Sequence, residues 1–229
     1  MSQGILSSFT GLCVFAQGTG SEAVLLPPLD QQVNNGVSVL RAHGVLAFPT
    51  DTLYGLGADA FCDEAVDRVF SIKGRPVDAP VPILLATESD LIRVATDIPP
   101  LVHVLAKEFW PGGLTLVLWR MPGVLLSVTG GGETVGVRVP AHPVPLELIK
   151  RFGSPITGTS ANASGEAAPS TADEVHRKLH GKIDLIIDGG PCPRGMGSTV
   201  LDLTARMPRL VRVGAVSAAD LRLVCGDIE

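Results

Sequence analysis

Aromatic side chains are scarce in this chain: Phe, Trp and Tyr together make 4% of it, with two tryptophans and a single tyrosine. Modules that hold single-stranded nucleic acid stack bases on aromatic platforms, so the shortage weighs against that mode. A basic excess is missing too. Eighteen Lys and Arg stand against 23 Asp and Glu, a formal net charge of −5, whereas a domain that wraps a large polyanion carries clustered positive charge. The four cysteines (Cys13, Cys62, Cys192, Cys225) include no C-x-x-C pair, which argues against a structural zinc site or a disulfide framework and fits a reducing cytoplasm. No apolar run approaches the roughly 18 to 20 residues that span a bilayer, even though mean hydropathy is +0.34. The apolar stretch from Ile5 to Phe15 lacks a basic leader and is broken by Ser7, Ser8 and Thr10, which argues against a secretory signal. G-x-x-x-x-G-K-[ST] is absent, and Gly55-x-Gly57 has no third glycine at dinucleotide-fold spacing. A nucleotide, if bound, is then held largely by side chains.

What is present is a regular alternation. Residues 1–28 read as an N-terminal extension ending at Pro27-Pro28, and 29–229 as a single α/β domain with a mixed sheet and one core, since a chain of 229 residues buries roughly 70–75% of its unfolded surface. Asp30 is positioned to cap a helix carrying Val33, Val37 and Leu40, followed by a short strand at Val45–Phe48. The strand feeds a hydroxyl- and glycine-rich loop, Pro49 to Gly57, after which a helix begins at Asp63 and stops at Lys73-Gly74. Strands are expected around residues 82–86, 114–119, 135–139, 156–157, 185–187, 198–203 and 210–213. Helices are expected after Ser89 and Pro100, from Pro143 to Phe152, from Thr171 with Glu174 as a capping-box partner, and from Ser217. Gly130-Gly131-Gly132 reads as an unrestrained segment able to close over a ligand.

The chemistry lies at the ends of these elements. Lys73, Arg75, Arg138 and Arg212 each fall at or near an element boundary, and charge-assisted bonds to phosphate contribute roughly 1.5–3 kcal/mol apiece. Converging, they would hold a small polyanion despite the acidic balance. Arg138 sits in an apolar strand pattern, where a cation needs a partner. Thr50 and Thr52 flank Asp51 in a turn whose hydroxyls suit local backbone bonding. Five histidines (His43, His103, His142, His176, His180) read as surface or capping residues. His176 and His180 share an i, i+4 face without an accompanying H-E-x-x-H, so the residues name no metal ligand set.

Seven segments occur in an order that resembles the YrdC family: Phe48 to Leu56, Lys73-Gly74-Arg75-Pro76, Trp110 to Thr115, Val137 to Pro140, Thr159-Ser160-Ala161-Asn162, Asp188-Gly189-Gly190 and Gly197 to Val200. The resemblance spans about residues 30 to 220. It implies a twisted open sheet with flanking helices and a concave positive groove. It also implies an enzyme that joins L-threonine, bicarbonate and ATP, with Mg2+, into threonylcarbamoyl-adenylate and pyrophosphate. A downstream tRNA threonylcarbamoyl transferase would then use the adenylate to modify position 37, with weak or no direct tRNA binding by this chain and no membrane association. On that resemblance, Thr52, Arg138 and Ser198 are threonine contacts, and Asp51 is a candidate magnesium or threonine contact. Lys73, Arg75, Thr134, Ser160, Asn162 and Arg212 are ATP contacts, with Lys73, Arg75 and Arg138 in the catalytic role. The chain departs from the family at Ala79, where an asparagine is common, at Ala168, where a polar residue is common, and at Arg212-Val213-Gly214, which replaces Arg-Pro-Gly.

Two other readings stay open on the residues. One is a non-catalytic module for double-stranded RNA or tRNA, and the other a domain handling carbamoyl-adenylate, which normally belongs to a much longer chain.

Overall fold

The computed structural model describes residues 26–74 and 79–229. Most of the expected N-terminal extension and the segment 75–78, which contains Arg75, therefore lie outside the described residues. The elements are α1 (Leu29–Arg41), β1 (Leu46–Phe48), β2 (Gly55–Gly57), α2 (Asp63–Lys73), β3 (Ile83–Leu84), a 3-10 helix at Glu88–Arg93, and β4 (Ala95–Thr96). There follow α3 (Pro100–Phe109), β5 (Leu114–Arg120), α4 (Leu126–Thr129), β6 (Thr134–Arg138), α5 (Pro143–Phe152), β7 (Ile156–Thr157) and β8 (Thr159–Ser160). The chain ends with α6 (Ala172–Leu179), β9 (Leu185–Ile186), β10 (Thr199–Asp202), β11 (Arg209–Arg212) and α7 (Ala218–Cys225).

The mixed α/β expectation holds, with the strands divided between two sheets. One runs β8-β2-β1-β9 and the other β11-β10-β5-β6-β3-β7, with β4 added beside β5. The division falls at Gly158, the one residue between β7 and β8. A Cβ there would stand 2.3 Å from Leu84 Cγ, so only a residue without a side chain lets the chain pass this close to β3 while stepping from one sheet to the other.

Apolar side chains gather in three clusters rather than the one core expected. Alternation along the first strand explains two of them: Leu46 and Phe48 pack with Val33, Val37, Leu40 and Leu148 of α1 and α5, while Val45 and Ala47 pack with Ala65, Val69, Val175 and Leu179 of α2 and α6. The third and largest lies on the core face of the seven-stranded sheet and takes Leu114, Leu116, Leu118, Val135 and Val137.

Two local expectations change. Asp30 lies inside the first turn of α1, not at its cap; the Pro28 carbonyl accepts the Gln31 and Gln32 amides at 2.9 and 3.1 Å. The Asp30 carboxylate instead pairs with Arg151 at 2.7 Å. The three glycines at 130–132 are the hydrogen-bonded end of α4, not an unrestrained segment. The Gly131 amide donates to Leu126 O at 2.8 Å, and Gly132 O accepts from Thr129 Oγ1 at 2.7 Å and Arg120 Nε at 3.2 Å. Caps elsewhere follow the sequence: Gly74 adopts the left-handed conformation behind Lys73, and Thr171 accepts the Glu174 amide.

Candidate active site

A cleft of about 670 Å3 opens between the two sheets and is lined by Thr52, Lys73, Thr134, Arg138, Ser160, Asn162, Ser198 and Arg212. The described residues nominated as ATP contacts, together with Thr52, Arg138 and Ser198, therefore meet in one place; Asp51 lies behind Arg138 rather than in the lining, and Arg75 lies outside the described residues. Strand termini, the loops beside them and the end of α2 bring these groups together, as expected where elements from different parts of an α/β sheet converge.

Arg138 ends β6 and is only 6% exposed. Its guanidinium is tied on all sides: Nε donates to Gly112 O at 2.8 Å, Nη1 to Thr52 Oγ1 at 3.0 Å and Nη2 to Asp51 Oδ1 at 2.5 Å. Burial pushes its proton affinity below the ordinary arginine range, Asp51 works against that, and the positive charges of Arg194 and Arg212 add to the lowering. Three cations are thus close enough to feel one another. Asp51 Oδ1 also accepts the Ala141 amide at 3.0 Å, so through this oxygen Asp51 anchors both Arg138 and the backbone that follows it. The Thr50 hydroxyl takes the amides of Thr52 and Leu53 at 3.1 and 3.2 Å, the local turn bonding that a Thr-Asp-Thr sequence favours. That turn points Thr52 at Arg138.

Lys73 closes α2, is 3% exposed, and donates from Nζ to Ser160 O at 2.7 Å and Asn162 O at 3.0 Å. A lysine in this position holds the 160–162 loop against the helix end while its charge stays beside the cleft. The Asn162 amide nitrogen in turn donates to Ala163 O and Glu166 O, both at 2.8 Å. Asn162 Oδ1 and Asp51 Oδ2 are shielded from solvent with no hydrogen-bond partner among the described residues. Buried oxygens of this kind mark places where a further donor is wanted.

On the opposite wall, Arg212 of β11 grips Ser198 O through Nε at 3.1 Å and Nη2 at 2.8 Å, and Nη2 reaches Ser198 Oγ at 3.2 Å. Ser198 Oγ shares a hydrogen bond with Thr115 Oγ1 at 2.8 Å. Sequence reasoning missed Arg194, which donates to Ala215 O at 3.3 Å and lies in the field of Arg138. It also missed the part played by Thr115 and Asp51. A buried cation without a nearby sequence partner was the signal that should have sent attention to Asp51. The histidines behave as expected for capping and surface residues where their bonding is visible: His142 Nδ1 caps α5 by accepting the Val144 amide at 3.2 Å, and His103 pairs with Glu88 at the surface. Among the described residues, no group of three His, Cys, Asp or Glu side chains lies where it could hold a metal ion.

The family model Sua5_yciO_yrdC, described as Telomere recombination, matches residues 38–214. The chain belongs to this family. Within it, the chain is 46% identical over 190 residues to a threonylcarbamoyl-AMP synthase of Pyrococcus abyssi, covering 83% of this chain and 56% of that protein. It is 42% identical over 201 residues to the threonylcarbamoyl-AMP synthase of Bacillus subtilis, covering 87% and 58%. The crystal structure of P. abyssi Sua5 complexed with L-threonine superimposes with a TM-score of 0.85 at 42% identity, covering 90% of this chain and 61% of that one. The chain thus spans a little under three fifths of the two curated relatives. The YrdC-like twisted mixed sheets with flanking helices are common to this chain and that structure.

Proposed function

We propose that this chain is an L-threonylcarbamoyladenylate synthase, a nucleotidyltransferase that forms threonylcarbamoyl-AMP and pyrophosphate from L-threonine, bicarbonate and ATP. The observation that carries the reading is the meeting of Lys73, Arg138 and Arg212 with Thr52, Ser160, Asn162 and Ser198 in one cleft. The names of the relatives and the L-threonine bound to P. abyssi Sua5 support it.

In this reading the threonine amine and bicarbonate condense to a carbamate with loss of water, and a carbamate oxygen attacks the α-phosphorus of ATP in line while pyrophosphate leaves. No nucleophilic side chain is required. Catalysis consists of positioning and of neutralising the negative charge that accumulates between carbamate and phosphates. Arg138, with its guanidinium fixed by three acceptors, faces the carboxylate or carbamate of threonine beside Thr52 and Ser198. Lys73, Arg75, Thr134, Ser160, Asn162 and Arg212 serve the nucleotide. A fixed arginine needs no reorganisation at the moment of reaction, which is where preorganised donors gain their effect. Mg2+ arrives with the phosphates of ATP as part of the substrate.

The product is a mixed anhydride and hydrolyses in water, so a transferase that moves the threonylcarbamoyl group to tRNA is the partner downstream. Weak or no direct tRNA binding by this chain accords with its acidic balance. No helix among the described residues is long and apolar enough to cross a membrane, and a cytoplasmic setting is part of the proposal, as is a single catalytic domain over 29–229.

The test is pyrophosphate release and adenylate formation by the purified protein, with threonine, bicarbonate and ATP omitted in turn. All three should be needed. Turnover of carbamoyl phosphate without threonine would favour the carbamoyl-adenylate reading, and salt-steep tRNA binding without pyrophosphate release would favour the RNA module.

A further inference from the structure

Strand β5 has two unlike faces. Leu114, Leu116 and Leu118 are buried in the core, while Thr115, Val117 and Trp119 occupy the alternate face. Val117 lines the cleft. Trp119 is the next side chain along that face, directly opposite Thr134 in the β5–β6 ladder, as Val117 is opposite Gly136. Residues paired in this way stand on the same side of a sheet, and Thr134 and Gly136 also line the cleft.

The floor is therefore graded along the strands. Arg138 stands at one end, with Arg212 across the sheet. Val117 and Gly136 form an apolar stretch in the middle, kept low because Gly136 contributes no side chain. Thr134 closes the far end, about 13 Å from Arg138 at the rise of an extended chain, and Trp119 stands beside it in the ladder, just outside the residues that line the cleft. A ligand that fits this gradient is polyanionic at one end and flat and apolar at the other, as a nucleoside triphosphate is. Trp119 is 42% exposed. The second tryptophan is otherwise engaged: Trp110 gives its indole N–H to Leu114 O at 2.7 Å.

We infer that Trp119 is the wall of a base subsite, against which the purine ring of the nucleotide packs when its phosphates lie among the cations. The inference rests on the reading of the cleft as an ATP site and adds the residue that recognises the base. Stacking of a base on an aromatic side chain is sequence-tolerant, so Trp119 contributes affinity for purines in general rather than choice of adenine over guanine.

The experiment compares wild type, Trp119→Ala and Trp119→Phe, each first confirmed folded by circular dichroism and melting temperature. Trp119→Ala should raise KM for ATP about tenfold, with kcat and KM for threonine within about twofold of wild type, and Trp119→Phe should restore most of the loss. Inorganic triphosphate, which has the anions and no base, should bind wild type and Trp119→Ala equally. ADP should quench tryptophan fluorescence in wild type, and the quench should vanish in Trp119→Phe. Equal ATP affinity in wild type and Trp119→Ala would overturn the assignment, as would a loss shared equally by inorganic triphosphate. Wild-type protein that binds neither ATP nor triphosphate would overturn the nucleotide reading itself and the base subsite with it.

Discussion

Replacing Asp51 with alanine tests whether the structure, and not merely the local sequence, organises the cleft. Asp51 and Arg138 form an ion pair whose side chains are 7% and 8% exposed. Removing one partner of such a pair strands the other as a buried charge, at a cost of about 3–5 kcal/mol. Arg138 keeps two acceptors, Gly112 O and Thr52 Oγ1, which soften the loss, but the Ala141 amide also loses its acceptor. The expected destabilisation is therefore near the lower bound, about 3 kcal/mol, and for a domain of this size it corresponds to a fall of about 6–12 °C in Tm. Urea denaturation of wild type and Asp51→Ala measures it directly. Asp51→Asn, which retains an acceptor oxygen, should lose about half as much. In a double-mutant cycle with Arg138→Met, the two losses should fall short of additivity by about 2 kcal/mol. A loss below about 1 kcal/mol in Asp51→Ala, or strict additivity, would refute the account of Arg138 as a cation held in place by Asp51.

Three further outcomes follow from other parts of the molecule. Gly158→Ala forces a Cβ to 2.3 Å from Leu84 Cγ at the step between the sheets and should lose about 1–3 kcal/mol; an unchanged Tm would mean that the step is looser than described. Lys73→Ala leaves the carbonyls of Ser160 and Asn162 without that donor, so it should raise KM for ATP at least tenfold if a charge-assisted interaction is lost, and unaltered kinetics would remove Lys73 from the site. The third concerns acid. Burial pushes the Asp202 carboxyl up, but hydrogen bonds from the Thr204 hydroxyl and amide and from Arg209 prevail and hold it below its ordinary 3.8. A carboxyl depressed in the folded state contributes stability above its unfolded value that is lost as pH falls through the folded one. Asp202→Asn should therefore cost stability at pH 7 and flatten the acid limb of the stability curve below about pH 4; an acid limb identical to wild type would contradict the assignment.

Much of the element pattern was legible because it depends on neighbours in the chain. The period of Val33, Val37 and Leu40, the stop at Lys73-Gly74 and the Thr171 cap are local events, and the structure keeps them. Asp30 shows the limit: its residue type suits a helix cap, but a distant Arg151 offers a stronger partner, and the carboxylate goes there. The triple glycine shows it again, since α4 and Arg120 supply hydrogen bonds that composition cannot display. The division into two sheets was hidden because it turns on one close approach, Gly158 to Leu84.

The same distinction separates the residues of the cleft from their arrangement. Residue type and order alone nominated the side chains that the fold gathers in the cleft, because a guanidinium, an ammonium or a hydroxyl is recognisable wherever it stands. Only the folded chain decided that Arg138 would be clamped by Asp51, 87 positions earlier, that Lys73 would hold the backbone at Ser160 and Asn162, and that Arg212 would fasten to Ser198. These are long-range pairings between groups desolvated together, and their free energy depends on distances that come into being when the two sheets close around the cleft.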